Sequence, residues 1–270
     1  MNLSCTTIQL IEEIERSEVE YMQDRMIAIR SRADNPEGIE IERIGNVTCY
    51  YSRTMPWPSF NTVKGIRSSD MDLIDPILDF YSSKGRKPQL EVVPTLVEQK
   101  LLKCLSERGF YQSGFHTSLY MDLTQYEEDD DRDSITVREL QEDEIEVYAT
   151  IHCRGTGLSN DGIPHVAANN KVLYNRPGWK FYIAYKDKTA AAVGVMYMKD
   201  GVASLTFAAT LPEFRSQGFQ QSLLKRRISE AARSDCRLVV AQCAFLSQSH
   251  RNMERVGMRI GYVRASWSVA

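Results

Sequence analysis

Histidine is scarce in this chain, with four among 270 residues, and no two stand at a spacing that presents both to one metal ion. The six cysteines, at 5, 49, 104, 153, 236 and 243, include no C-x-x-C pair. Structural or free thiols are therefore expected rather than a redox or metal centre. His152 and Cys153 are adjacent, but neighbours on a helix point about 100° apart, so they do not form a nucleophile and its base. A charge excess is missing too: 33 Lys and Arg against 36 Asp and Glu leave a net charge of −3. That balance gives no electrostatic reason to expect nucleic acid or an anionic membrane as partner. No apolar run is long enough to cross a bilayer. The opening "MNLSCTTIQLIEEIERSEVE" carries acids where a secretion signal has a basic segment and an apolar core, so a cytoplasmic location is expected.

What remains is the composition of a soluble globular protein, 43% apolar and 26% charged. Its length suits one large domain or two of ordinary size. One shift in composition divides it. The stretch "TQYEEDDDRDS" at 124–134 is acidic and almost free of apolar anchors, and like-charge repulsion would keep it extended as a linker. The expected organisation is a domain at 1–123, a linker at 124–134 and a domain at 135–270.

In the first segment, Ile8, Ile11, Ile14, Val19, Met22, Met26 and Ile29 recur at helical spacing, with acids and arginines on the outer face. The pattern predicts a long amphipathic helix. "IEIERIGNVTCYYSR" alternates around Gly45-Asn46 and predicts a hairpin. "TMPWPSFNTVKGI" is punctuated by proline and reads as a loop, able to line a cleft or cover a sheet edge. A helix from Ser69 or Asp70 to Gly85, a strand "QLEVVP", a helix from Thr95 to Gly109 and a long strand "FYQSGFHTSLYMDL" follow.

The second segment reads as strand "ITVREL", helix "EDEIEVYATIHCRG", turn "LSNDGIP" and a short helix through "HVAANNKVLYN". Three strands joined by turns come next, "WKFYIAYKD", "AAAVGVMYMKD" and "VASLTFAATL". After a loop and helix come strand "RLVVAQCAF", helix "SQSHRNMERVG" and strand "YVRASWSV". The order implies α+β architecture: a mixed, largely antiparallel sheet flanked by helices. Three antiparallel strands in the middle exclude a doubly wound sheet. Trp179, Phe181 and Tyr182 open the first of them, as core residues or as a pocket wall.

The loop in "TLPEFRSQGFQQSLLKRRI" carries the chemistry. A chain leaving a strand and entering a helix exposes main-chain amides with no internal partner, at the positive end of the helix dipole. Gly218 permits a positive φ and close approach of a phosphate, and Arg215 adds a fixed charge with paired donors. A plain strand–turn–helix is the bland reading. The sequence is neither a P-loop nor the three-glycine dinucleotide motif.

The C-terminal half, through "VASLTFAATLPEFRSQGFQQSLL" and "SHRNMERVGMRIGYVR", resembles the GCN5-related N-acetyltransferase (GNAT) family. Its loop pattern, Gln/Arg-x-x-Gly-x-Gly/Ala, is matched by Arg215-Ser216-Gln217-Gly218-Phe219-Gln220, with Gln220 departing at the last position. The resemblance implies that acetyl-CoA is a cosubstrate, with no metal. Amides from Gln217 to Gln221, with Arg215, Ser216, Gly218, Phe219 and Gln220, would hold its diphosphate. The edge formed by Ala208, Ala209 and Thr210 would bind the pantetheine arm, and Ser249 and Asn252 would approach from the next helix.

The family's usual tyrosine acid falls at Met253, which cannot donate a proton; Tyr262 and Glu213 are the remaining catalytic candidates. The implied activity is acetyl transfer to an amine of a small molecule or peptide, the alternative being a non-catalytic CoA-binding or interaction protein that keeps the fold. Acetyl-CoA and the acceptor are the expected partners, without nucleic acid or membrane, and a homodimer is left open. The first segment repeats parts of the second without its loop, and resembles a degenerate copy in a tandem GNAT arrangement. An unrelated α+β domain is the other reading.

Overall fold

A computed structural model describes residues 6–124, 126–128 and 135–269. The chain forms two compact units, Met1–Ser118 with Ile260–Ala270, and Leu119–Arg259. Most of the acidic stretch 124–134, expected as a linker, lies outside the described residues.

In the first unit, α1 (Ile8–Arg30) starts at Thr7, whose hydroxyl accepts from the Leu10 amide at 3.2 Å. β1 (Ile39–Ile44) and β2 (Val47–Ser52) form the expected hairpin about Gly45-Asn46. The proline-punctuated stretch is only partly a loop. It ends in a buried strand, β3 (Thr62–Lys64), antiparallel to β2 and parallel to β4 (Gln89–Val92). Between them a 3₁₀ segment, Ser68–Leu73, leads into α2 (Ile74–Ser82).

After β4 a 3₁₀ turn, Pro94–Leu96, precedes α3 (Gln99–Glu107), which begins four residues later than Thr95. β5 (Phe110–Asp122) contains the boundary between the units. The strand order in this unit is β1-β2-β3-β4, then the last strand of the chain, then β5. That last strand, 259–269, was expected to complete the second domain. It belongs to the first unit because Ala265 to Ser268 pair with Val92 to Gln89, and Ala265 and Trp267 pack on the first unit's core.

The acids of α1 are not all on its outer face. Glu15 and Glu18 are buried. Glu18 accepts from Ser118 Oγ at 2.7 Å and pairs with Arg264 and Lys64, and Glu91 takes Arg264 at 2.7 Å and also Lys64. The paired charges offset part of the desolvation of Glu18 and Glu91, while Glu15 accepts from the Tyr262 hydroxyl.

The second unit contains β6 (Thr136–Glu139), α4 (Ile145–Thr156), α5 (Ile163–Tyr174), β7 (Trp179–Lys186), β8 (Thr189–Lys199) and β9 (Val202–Thr210). These are followed by α6 (Phe219–Arg233), β10 (Leu238–Cys243) and α7 (Gln248–Arg255). Helix α4 runs past Gly155 and stops at Gly157, whose φ of 78° is the left-handed conformation glycine adopts freely. The strand order is β10-β9-β8-β7-β6, with the end of β5 beside β10.

β6, β7, β8 and β9 are successively antiparallel, and β10 is parallel to β9. Trp179, Phe181 and Tyr182 are all buried, so their core reading holds. Leu223, Leu224 and Ile228 of α6 pack on Tyr182, Met196, Leu205 and Val239 of the sheet. The final strand of the chain is β11 (Arg259–Val269). Both units are α+β, with mixed, largely antiparallel strands flanked by helices. Among the described residues no helix is long and apolar enough to cross a membrane.

Candidate functional site

The site begins with two strands that part. β9 pairs with β10 only from Val202↔Leu238 to Leu205↔Ala241. Of its remaining residues, Thr206, Ala209 and Thr210 keep a β8 partner, and none of 206–210 has a β10 partner. Against β8 the register shifts: Val195 faces Thr206, but Val193 faces Ala209. Two residues, Phe207 and Ala208, therefore oppose Gly194, and Phe207 takes a φ of 34°. This is a β-bulge, which bends a strand and re-aims the side chains beyond it. It leaves Ala208 exposed and Ala209 and Thr210 at an open edge of the sheet.

Beyond β9 a single 3₁₀ turn, Pro212–Phe214, brings the chain to the loop at 215–218. Ser216 (φ 60°) and Gly218 (φ 93°) both adopt left-handed conformations, and Gly218 is the N-cap of α6. The first α6 amide to find an intrahelical acceptor is that of Ser222, bound to Gly218 O at 3.1 Å. Among the described residues the amides of 216–221 meet no main-chain acceptor. Successive free amides in a turn, at a helix N-terminus, make a concavity suited to an anion. Arg215 closes one side, its Nη2 donating to Gly155 O at 2.8 Å.

Helix α7 supplies the facing wall. Gln220 Nε2 donates to Ser249 Oγ at 2.7 Å, and Asn252 Nδ2 donates to Gln220 Oε1 at 2.7 Å. Asn252 Oδ1 in turn accepts from Arg255 Nη1 at 2.9 Å and Gln248 Nε2 at 3.1 Å. The glutamine that departs from the expected loop pattern thus ties α6 to α7.

Loop, strand edge and α7 together enclose a cavity of about 720 Å³. The only ionisable side chains lining it, among the described residues, are Arg215 and Arg255. A wall with two guanidiniums, free amides and no carboxylate favours an anionic occupant. No group of three His, Cys, Asp or Glu among the described residues could hold a metal ion.

Of the twelve residues singled out for cofactor contact, eleven line this cavity: Ala208, Ala209, Thr210, Arg215, Ser216, Gly218, Phe219, Gln220, Gln221, Ser249 and Asn252. Gln217 does not. Its side chain is turned aside, accepting from Lys186 Nζ at 2.7 Å and donating to Glu213 O at 3.1 Å. The two catalytic candidates fare worse. Tyr262 belongs to the first unit, where its buried hydroxyl donates to Glu15 at 2.9 Å, and burial raises its pKa well above the usual value. Glu213 is exposed and not among the lining residues. A hydrogen bond from its own main chain, followed by Arg154 at 2.9 Å, lowers its pKa. Met253, at the family's tyrosine position, is buried in the core with Leu223 and Met258.

Gly155, Phe214, Gln248 and Arg255 line the cavity and were missed in the sequence. Two signals were present. A glycine inside a helical pattern often marks close approach: a Cβ on Gly155 would stand 2.9 Å from Ala209 Cβ and 3.0 Å from Thr210 O. Gln248, Asn252 and Arg255 recur at i, i+4 and i+7, one face of a helix.

No protein-family profile matches the sequence, and no curated protein does. Solved structures do resemble it. A GCN5-related N-acetyltransferase from Kribbella flavida is 14% identical, with 93% of this chain and 94% of that one covered at a TM-score of 0.67. A tandem GNAT protein from the clavulanic acid biosynthesis pathway is 12% identical, covering 95% and 96%, at 0.62. A GCN5-related N-acetyltransferase from Sphaerobacter thermophilus is 13% identical, covering 92% and 91%, at 0.61. At such identities the likeness is one of fold, and it extends over both units: the chain has the GCN5-related N-acetyltransferase fold in its tandem form.

Proposed function

We propose that the second unit is an N-acetyltransferase, taking the acetyl group of acetyl-CoA to an amine of a small molecule or peptide. The observation that carries this reading is the cavity itself: free amides at the start of α6, two arginines and an unpaired strand edge converge on one space with no acid in its wall. These donors fit the cosubstrate's parts in order. The amides at 216–221, with Arg215 and Arg255, would hold the diphosphate. The edge at 208–210 would hydrogen-bond an amide-bearing arm as an added strand.

When bound, acetyl-CoA supplies a thioester carbonyl at which a C–N bond to the amine forms as the C–S bond breaks, the amine's proton passing to solvent. Because a thiol is acidic near pH 8.5, the protein has less need to protonate the leaving sulfur than it would for an alkoxide. Its work is then to hold and orient, which alone accounts for a large part of a rate enhancement. The test is calorimetric titration with acetyl-CoA, together with Gly218→Val. A β-branched residue at φ 93° is strained and shifts the turn that presents the amides, so binding should fall roughly tenfold or more. Absence of binding by the unaltered protein would remove the proposal.

A second reading has an observation in its favour. Met253 lies in the core, and among the described residues no His, Cys, Tyr, Asp or Glu lines the cavity. A CoA-binding protein without catalysis would look the same. Saturable acetyl-CoA binding with no CoA release across a panel of primary amines would select it.

A further inference from the structure

Helix α6 carries an arginine that the cavity does not use. Arg227, two turns beyond the loop, is 1% exposed. Its Nη1 donates to Val195 O at 2.9 Å and to Thr206 O at 3.2 Å, and its Nε donates to Leu223 O at 3.0 Å. Val195 and Thr206 are the pair at which the regular β8–β9 register ends and the bulge begins. Gly194, opposite the two inserted residues, leaves the space the guanidinium fills: a Cβ there would stand 3.1 Å from Cζ and 3.2 Å from Nε.

Desolvation pulls the group's pKa down to about 10, so it stays charged at neutral pH. Among the described residues its hydrogen-bond partners are three main-chain carbonyls and no carboxylate. A buried cation without a counter-ion is disfavoured. A bulge, however, disrupts the ladder and leaves carbonyls to be satisfied. A planar fork with five N–H donors can serve two strands and a helix at once, which an ammonium cannot do as well.

We infer that Arg227 is a positioning residue, which pins the β8–β9 bulge to α6 and so fixes the open strand edge at 207–210 relative to the amide-lined start of that helix. The mechanical part stands on these contacts alone; its consequence for ligand binding rests on the proposed acyl-CoA site. A ligand that touches only the loop is indifferent to the clamp. One that spans loop and strand edge depends on it.

The experiment compares Arg227→Met and Arg227→Lys with the unaltered protein. Amide hydrogen exchange is read at 206–210 against 202–205, which the clamp does not hold. In Arg227→Met, exchange at 206–210 rises about tenfold or more while 202–205 is unchanged, and Arg227→Lys recovers part of the protection. In titrations, Arg227→Met weakens acetyl-CoA binding roughly tenfold or more but leaves ADP, which reaches only the loop, within about twofold.

Equal exchange in all three proteins, or equal loss for ADP and acetyl-CoA, overturns the inference. If the unaltered protein binds neither ligand, the acyl-CoA reading falls while the exchange result still decides the role of Arg227. Should Arg227→Met not fold, Gly194→Ala crowds the same guanidinium and must produce the same local rise in exchange; if it does not, the clamp is refuted.

Discussion

Replacing Gly155 by alanine sets two effects of opposite sign against each other. Alanine is the better helix former, by about 1 kcal/mol in a helix interior, and Gly155 lies in the last turn of α4. Against that stands the packing. The added Cβ would meet Ala209 Cβ at 2.9 Å, Thr210 O at 3.0 Å and Thr210 N at 3.2 Å. Two of the three are main-chain atoms that no rotamer change can move, so helix or strand must withdraw by several tenths of an ångström. Overpacking of this kind costs about 1–3 kcal/mol. The packing term wins, leaving a net loss of roughly 0–2 kcal/mol, or a fall of several degrees at most in melting temperature.

The ligand effect should be larger than the stability effect. Ala209 and Thr210 form the open edge of the cavity, and Gly155 O is the acceptor for Arg215. Displacing both should weaken acetyl-CoA binding about tenfold, or ~1.4 kcal/mol. Scanning calorimetry and isothermal titration read the two quantities separately. A variant that melts higher than the parent and binds acetyl-CoA as well would show that α4 does not press on the β9 edge as described.

Arg215→Ala should weaken acetyl-CoA binding by roughly tenfold and flatten its dependence on salt, because a fixed charge near an anion is removed; titrations at low and high ionic strength check it. Met253→Tyr, which introduces the tyrosine of the GNAT pattern, should not increase CoA release from acetyl-CoA, because the position is buried in the core. It should instead destabilise the protein by about 1–3 kcal/mol in thermal unfolding. In the first unit, burial raises the Glu18 pKa to about 7, so its contribution to stability is full below the ordinary carboxylate range and lost as pH rises through 7. Burial, followed by Arg264, lowers the His116 pKa to about 4, so its contribution is present above the ordinary histidine value and lost as pH falls through 4. The two slopes oppose each other between about pH 4.5 and 6.5. Glu18→Gln should therefore turn a nearly flat stability profile into one that rises with pH across that window, measured by denaturant titration.

The features legible in the sequence were those set by neighbours along the chain. Free amides where α6 starts, the left-handed glycine at 218 and the arginine three residues earlier are local properties of a strand–turn–helix, and the predicted loop is where the cavity lies. Apart from β3, which was read as part of a loop, strand and helix order in both halves followed from periodicity for the same reason. Ser249 and Asn252 came from a resemblance to a family, and Gln248 and Arg255 shared their helical face without being noticed.

Tertiary packing decided the rest. That β9 parts from β10 after Leu205 depends on pairing between distant residues, such as Leu205 with Ala241, and that Gly155 rather than Gly157 meets Thr210 depends on how α4 lies on the sheet. The acids at 15 and 18 look like surface residues until partners arrive from distant strands, the Tyr262 hydroxyl for Glu15 and Lys64 and Arg264 for Glu18. Tyr262 and the last strand were assigned to the wrong half because sequence order says nothing about which sheet a terminal strand joins. Local conformation is written in local residues, whereas burial, charge pairing and close approach are sums over elements that meet only when the chain is folded.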